Sequence, residues 1–362
     1  MEQKRFNING VINGVNEFNK LINNNQKQNI MKKSFLFLAV AASFAACTSN
    51  DQINDDLQGD EIRFDQVLNK TTKAEITNEA ALASAGGFAV FGYKSTDGFE
   101  RNETTVFNGD NVKLVDGVWK YDNTRYWDKT TTYNFYAIAP YEAVPNYSLT
   151  DGMFVINNVV SGLAADSKDY VIDRTFNDES GIAGNGTHSK IGFEFHHVMA
   201  KVSFAVKTTI ADATIIVQNL TMTGWDAGKG KFTQSKTDGT WRELNVSEWN
   251  IAVPLAGSAT LIGDGSGNAD EITLSSTAQD LTDVYIMVPQ EIAAETLTFT
   301  VDYTINGEPF TNQVSALAAA QTWGTDSYTK YTLAIGPSAI EFDVETVCDF
   351  CYTAPEQTPN VQ

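Results

Sequence analysis

From Glu61 onward the chain is a succession of short runs in which apolar and polar residues alternate, with almost no helical periodicity. The clearest run sets Leu297, Phe299, Val301, Tyr303 and Ile305 against Thr298, Thr300, Asp302 and Thr304, and ends at Asn306-Gly307. A period of two places the apolar set on one face of a pleated strand, and Asn-Gly supplies the positive φ angles of a tight hairpin turn. Shorter alternations occur at Val202-Phe204-Val206, Val284-Ile286-Val288 and Tyr331-Leu333-Ile335. Many short strands with turn signals at roughly ten-residue spacing predict an all-β fold of sandwich type. A chain of 362 residues has room for two such sandwiches. The Gly/Asn/Ser-rich stretch from Asp178 to Ser189 is the most loop-like segment near the middle. It divides an expected N-terminal sandwich, 61–190, from an expected C-terminal one, 191–347, followed by a tail, 348–362.

The pattern before Glu61 is of another kind. Lys32 and Lys33 precede the apolar run Phe35 to Ala42, which ends in the small residues Ser43-Phe44-Ala45-Ala46 directly before Cys47. A basic n-region, a short h-region and a small-residue site in that order predict a signal peptide over 31–46. The apolar run is well short of the ~20 residues of a permanent membrane span. Its end resembles the lipobox of bacterial lipoproteins, which would make Cys47 the lipidated first residue of the mature chain. Residues 47–60 are polar and acidic (Asp51, Asp55, Asp56) and read as a solvated tether. An acidic stretch in this position also resembles the export signal of some surface lipoproteins. Residues 1–30, Asn-rich and upstream of a complete signal peptide, read as a mis-assigned start.

Charge narrows the function classes. The chain has 25 basic and 45 acidic residues, a net −20, and no basic cluster, which excludes a nucleic-acid binder. Without residues 1–46 it keeps 19 basic and 43 acidic residues, a net −24. Attraction to anionic lipid therefore contributes nothing, and membrane attachment must come from acyl chains, more than one for stable anchoring.

Little in the sequence assembles chemistry. His196 and His197 are adjacent, so on a strand they point to opposite faces and cannot share a metal; one is expected to pack and the other to be solvated. His188 lies in the Gly/Asn loop. The stretch Gly224 to Gly230 has the wrong spacing for a phosphate loop and reads as a turn. Asp264, Ser266, Asn268 and Asp270 alternate as calcium ligands would, but lack the Gly and Glu of a calcium hand; a solvated hairpin loop is the alternative. Cys348 and Cys351 form a C-x-x-C after a strand, not at a helix start, so a local disulfide is expected and not a redox site. No paired carboxylates or catalytic triad can be argued from spacing, so the reading is of a non-enzyme with no metal and no cofactor.

Four further features follow one another in order: the aromatic segments Trp119-Lys120-Tyr121, Tyr126-Trp127 and Tyr133-Asn134-Phe135-Tyr136-Ala137-Ile138-Ala139-Pro140; Phe193 to Phe204; Val284 to Gln290; and Trp323-Gly324, Tyr328, Tyr331-Thr332-Leu333 and Ile340-Glu341-Phe342. In that order they are similar to the aromatic strand pair, the F-x-H-x-x-A-K-V segment, the V-P-Q strand end and the closing strands of one family. The set resembles the fimbrillin superfamily, the surface pilins and related lipoproteins of anaerobic Gram-negative bacteria. The resemblance implies two tandem transthyretin-like Greek-key β-sandwich domains behind a lipoprotein signal peptide, and an adhesive pilus subunit or accessory protein at the outer membrane. It implies assembly by donor-strand exchange, in which a protease removes the first strand and a neighbouring subunit's strand fills the apolar groove. Head-to-tail contacts of that kind build filaments.

Mapped onto this chain, the resemblance makes Glu61 to Val67 the removable strand, with Ile62, Phe64 and Val67 inward, and sets the cut after Lys73, before Ala74, where the better-known pattern has arginine; a lysine in an ordinary solvated loop is the alternative. Ile340, Phe342 and Val344 alternate with acidic residues as a donor strand would; they suit the last strand of the chain's own second sandwich equally, in which case the subunit accepts a strand without supplying one. The partners implied are other pilin subunits, lipid through Cys47, and a host or bacterial surface ligand. The alternative function is a surface lipoprotein that binds glycans, presenting Trp225, Trp241 or Trp249 to sugar rings.

Overall fold

The run singled out at Thr298–Ile305 is a strand, and Phe299, Val301 and Tyr303 are its buried residues. Asn306 and Gly307 both have positive φ (50° and 87°) and turn the chain into the antiparallel strand Glu308–Ala316. The structure, a computed structural model, describes residues 58–66, 78–96, 103–173, 182–186, 190–193, 195–234, 247–264, 266, 268, 270–336 and 340–347. Residues 1–30, the leader at 31–46, Cys47, Val67, Lys73, Ala74, His188, Trp241, Cys348, Cys351 and the rest of the tail lie outside the described residues.

The second half of the chain builds two facing sheets. One runs in the order Gly162–Leu163, Gln279–Met287, Ala200–Thr208, Ser327–Ile335, Ile340–Val347. The other runs Ala256–Ile262, Ile215–Asp226, Thr298–Ile305, Glu308–Ala316, with Ile272–Thr273 also on Ile215–Asp226. Val202, Phe204 and Tyr331 from the first sheet and Leu220, Met222 and Phe299 from the second share one core. Phe204 stacks on Tyr331 at 5.7 Å and meets Phe299 edge-on at 6.1 Å, the geometries that aromatic quadrupoles favour. Ala200–Thr208 is central, parallel to Ser327–Ile335 and antiparallel to Gln279–Met287, and it is buried on both faces, not only on the one the alternation marks. Lys201 on its second face lies over the Tyr328 ring at 4.5 Å, which keeps a buried ammonium compensated.

The first half centres on a sheet in the order Phe195–His197, Val171–Asp173, Thr132–Ala139, Phe88–Ser95, Thr104–Val115, Val118–Lys120. Phe88, Val90, Phe107 and Phe135 line one face and pack with Ile62, Phe64, Trp127, Ile191 and Phe193. Ala89, Phe91, Tyr136 and Ile138 line the other and pack on Phe154, Ile156 and Phe232. Those three belong to a four-stranded sheet in the order Ser247–Ile251, Gly230–Gln234, Met153–Val159, Tyr147–Thr150. The two halves interlock there, because Met153–Val159 pairs with Gly230–Gln234, and Gly162–Leu163 pairs with Gln279–Met287.

Among the described residues the one helix is Glu79–Ser84. The Asn78 side chain caps it by accepting from Ala81 N–H at 2.9 Å, and Leu82 anchors it in the first-half core. Its C-cap, Ala85, is followed by Gly86-Gly87. At Gly87 the φ is +86°, and a Cβ would stand 2.1 Å from the Val112 carbonyl oxygen, so only glycine lets the chain enter the sheet this closely. No helix among the described residues is long and apolar enough to cross a membrane.

Candidate strand-exchange site

The first described strand lies against the aromatic core of the first half. Gln58–Glu61 runs antiparallel to Tyr126–Asp128, and Phe64–Gln66 runs parallel to Ile191–Phe193. Between these short ladders, Ile62 N–H donates to Arg125 O and Ile191 N–H donates to Arg63 O, both at 2.8 Å, while Tyr121 O–H donates to Ile62 O at 2.7 Å. Lys190 pairs with Asp65 at 3.0 Å, an exposed contact worth little by itself. The main attachment is apolar. Ile62 is fully buried and Phe64 nearly so, as alternation around Arg63 requires. The Phe64 ring meets Phe107 at 5.1 Å and Tyr121, Phe135 and Phe193 at 5.6 Å each, three edge-on and one stacked.

Those neighbours are themselves fixed. Arg125 lies over the Phe107 ring at 4.2 Å and the Tyr121 ring at 5.6 Å, and its guanidinium pairs with Asp110 at 2.8 Å. Burial pushes the Tyr121 phenol above its usual pKa, so it stays protonated and able to donate to Ile62 O. Taking residues 58–66 away would open an aromatic slot between Phe107, Phe135 and Phe193 and free the Arg125 carbonyl and the Ile191 N–H. Such a slot, with backbone donors and acceptors along its rim, is what a new strand needs. The alternation places Ile62 and Phe64 inward; their receivers come from two separate segments, Tyr121 and Arg125 from the connection before Tyr126–Asp128 and Phe193 from Ile191–Phe193, and only the aromatic richness of 119–136 and 193–195 signals them in sequence.

Ile340–Val347 pairs antiparallel over its whole length with Tyr328 to Ile335, setting Ile340 beside Ile335, Phe342 beside Leu333 and Val344 beside Tyr331. Phe342 packs on Phe299 at 5.0 Å, whereas Val344 is 38% exposed because this strand is the edge of its sheet.

The other sites raised by the sequence resolve locally. His197 is buried and its Nδ1 lies 2.9 Å from Asp169 Oδ1; His196, on the opposite face, is partly buried, with Nδ1 3.7 Å from Asp326. Asn268 is a brace: its Oδ1 accepts from Thr282 N–H, Thr282 O–H and Asp283 N–H at 2.6 to 3.1 Å, and its Nδ2 donates to Leu261 O at 2.7 Å. Asp226, in the glycine-rich turn, accepts from the N–H groups of Gly228 and Leu255, both at 2.8 Å. Among the described residues no three His, Cys, Asp or Glu side chains gather as a metal requires. Trp225 is buried beneath Gly257, and Trp249 is half-buried against Phe232 with its Nε1–H on Thr325, so neither offers an open ring to a sugar.

The motif residues have structural work of their own. Gln290 clamps Asp226 through both backbone groups, accepting from its N–H at 2.8 Å and donating to its carbonyl at 3.1 Å. Trp323 Nε1–H donates to Tyr331 O–H at 2.9 Å inside the second core.

No curated protein matches this chain. Among solved structures, a fimbrial protein from Bacteroides vulgatus, 17% identical, aligns over 79% of this chain and 99% of its own length with a TM-score of 0.50. A fimbrial assembly protein from Parabacteroides distasonis, 11% identical, aligns over 80% and 96% with a TM-score of 0.38. At such identities the first likeness is one of fold. Residues 72–349 match the fimbrillin-like family, which is most of the chain, so this protein belongs to the fimbrillin-like family.

Proposed function

We propose that the chain is a cell-surface lipoprotein held at the outer membrane through acylated Cys47, and that it is a structural, non-catalytic subunit or accessory component of an adhesive pilus. It is built as two sandwich domains, 61–190 and 191–347, with 191–197, 230–234 and 247–251 lending strands to the first. Assembly proceeds by donor-strand exchange: a protease cuts after Lys73, the strand carrying Ile62, Phe64 and Val67 leaves, and a strand from another subunit takes its place. The single observation behind this reading is the seating of Phe64, whose four ring neighbours form a slot that is filled by one short segment at the start of the described chain. The full-length pairing of Ile340–Val347 within the chain's own sheet favours a subunit that accepts a strand without donating Ile340, Phe342 and Val344 to another. Such a subunit would sit at a filament's tip or as an accessory.

Intact mass and N-terminal sequence of the protein recovered from the cell surface test the reading. A species that begins at Ala74 is expected. Recovery of the acyl-Cys47 chain alone would overturn strand removal.

A further inference from the structure

The strand that follows Asn306-Gly307 is the edge of its sheet: Glu308–Ala316 pairs with Thr298–Ile305 and, among the described residues, with no strand on its other side. All but one of its nine residues are exposed, Phe310 at 38% and Val314 at 65%, and Glu308 is its single charged residue. An exposed, nearly uncharged edge with apolar side chains is a template on which the strand of another molecule can form. The edge strand of the facing sheet, Ile340–Val347, carries the exposed acids Glu341, Asp343 and Glu345, and in a chain of net −20 their repulsion discourages pairing between like edges. Glu308–Ala316 has no such row of charge, and its ladder is interrupted instead.

Two interruptions occur. The two-residue turn makes Ile305 and Glu308 the pair that exchanges hydrogen bonds, so the next pair, Thr304 and Pro309, points its backbone groups away from the ladder. On that open side proline offers no N–H. Further on, Tyr303 pairs with Phe310 and Val301 with Gln313, so that Thr311 and Asn312 together oppose Asp302. Asn312 is left-handed, with φ 53°, and the bulge bends the strand. Asp302 fixes it. Its Oδ1 accepts from Asn312 N–H at 2.6 Å, and its Oδ2 accepts from Asn219 Nδ2 at 3.3 Å on the strand beyond. Ile215–Asp226 has its own register shift at the same level, between Val217 and Asn219. Asn219, Asp302 and Asn312 thus form one polar row across three strands. Both interruptions precede Ser315, where Ile340 O lies 3.4 Å from the Ser315 hydroxyl.

We propose that Pro309 and the Asn312 bulge, braced by Asp302, close this edge of the second half to strand addition. An added strand needs outward N–H and C=O groups at the regular spacing of a pleated strand. Pro309 removes one donor, Asn312 turns its own toward Asp302, and the extra residue shifts the spacing of everything after it. Phe310 and Val314 can therefore stay in solvent without the edge becoming a pairing site. The device lies apart from the Phe64 slot and does not depend on cleavage at Lys73.

Sedimentation velocity and thioflavin fluorescence of the purified chain with its first strand in place test the proposal. Deletion of Asn312 together with Pro309→Thr restores an unbroken ladder. This variant is expected to associate at least about tenfold more tightly than the wild type, with the Thr311 amide gaining protection from hydrogen exchange as it does so. Asp302→Ala with Asn312→Val keeps the chain length, removes the brace and places a β-branched residue where φ is positive, and is expected to associate in the same way. Asn312→Gly tolerates the left-handed conformation and should behave like the wild type. A folded deletion variant that associates no more than the wild type overturns the proposal; should that chain fail to fold, the Asp302/Asn312 variant decides by the same criterion. Association that leaves the Thr311 amide unprotected also overturns it, since the contact would then lie elsewhere. So does an Asn312→Gly variant that associates like the Asp302/Asn312 variant.

Discussion

Replacing Phe64 by Ala probes the reading of the first strand directly. Its ring is 1% exposed and surrounded by Phe107, Tyr121, Phe135 and Phe193 at 5.1 to 5.6 Å. Transfer of such a side chain from water contributes about 1.5–3 kcal/mol. Phe107, Phe135 and Phe193 stand on paired strands and Tyr121 is tied to Ile62 O and Arg125, so the slot cannot collapse onto a smaller residue and a cavity cost adds to the transfer term. The sum expected for Phe64→Ala is about 3–5 kcal/mol. If residues 58–66 open as a local unit, that loss falls on the strand before it falls on the whole fold. Hydrogen exchange then reads it at the Ile191 amide, whose acceptor is Arg63 O, and at the Ile62 amide, whose acceptor is Arg125 O. Exchange at both should accelerate by between about a hundredfold and a few thousandfold. Amides of Ala200–Thr208, in the middle of the second half's sheet, should change far less. An acceleration below about tenfold at Ile191 would refute the claim that Phe64 holds the strand, and equal acceleration at both places would refute its local opening.

Other substitutions test the rest of the frame. Burial acts to raise the pKa of the Glu142 carboxyl, but hydrogen bonds from Lys168, Tyr170 and the Asn146 N–H together outweigh it and hold the pKa below the ordinary value. A pKa lowered by folding stabilises fully above the ordinary glutamate value, about 4.3, and loses that stabilisation as pH falls through the folded value. Glu142→Gln should therefore cost about 1–2 kcal/mol at pH 7 and progressively less in acid; a difference in melting temperature that does not shrink between pH 6 and pH 3 would contradict this. Gly257→Ala would drive a Cβ to 2.2 Å from the Trp225 ring, and an overpacking cost of about 1–3 kcal/mol is expected in chemical denaturation; a neutral effect would mean the indole can move aside. Asn268→Ala removes four hydrogen bonds, three to Thr282 and Asp283 and one to Leu261 O, and should cost about 1–3 kcal/mol. An unchanged denaturation midpoint would show the loop to be as solvated as its composition suggests.

Some of these features are legible without coordinates. The alternation at 297–305 and its Asn-Gly end fix a strand and a hairpin, because both depend on periodicity and φ preference, which are local. The same local logic sets Ile62 and Phe64 on one face. It fails at Ala200–Thr208, where Lys201 and Ser203 occupy the positions that alternation assigns to solvent, because the Tyr328 side chain, from a strand more than a hundred residues on, meets both of them. It fails again at Asn268, whose short polar side chain reads as a loop residue until the loop folds back within reach of Thr282. Trp225, exposed in the glycan-binding alternative, is buried because Gly257, thirty-two residues on, leaves room for its ring.

By itself, then, the sequence determined the all-β class, the strand and turn chemistry, the acidic charge and the inward face of the first strand, all of which depend on residues near one another in the chain. Only the tertiary structure decided what that strand packs against and that Met153–Val159 pairs with a strand from the other half. Those outcomes rest on contacts between residues tens to more than a hundred positions apart, which no local period encodes.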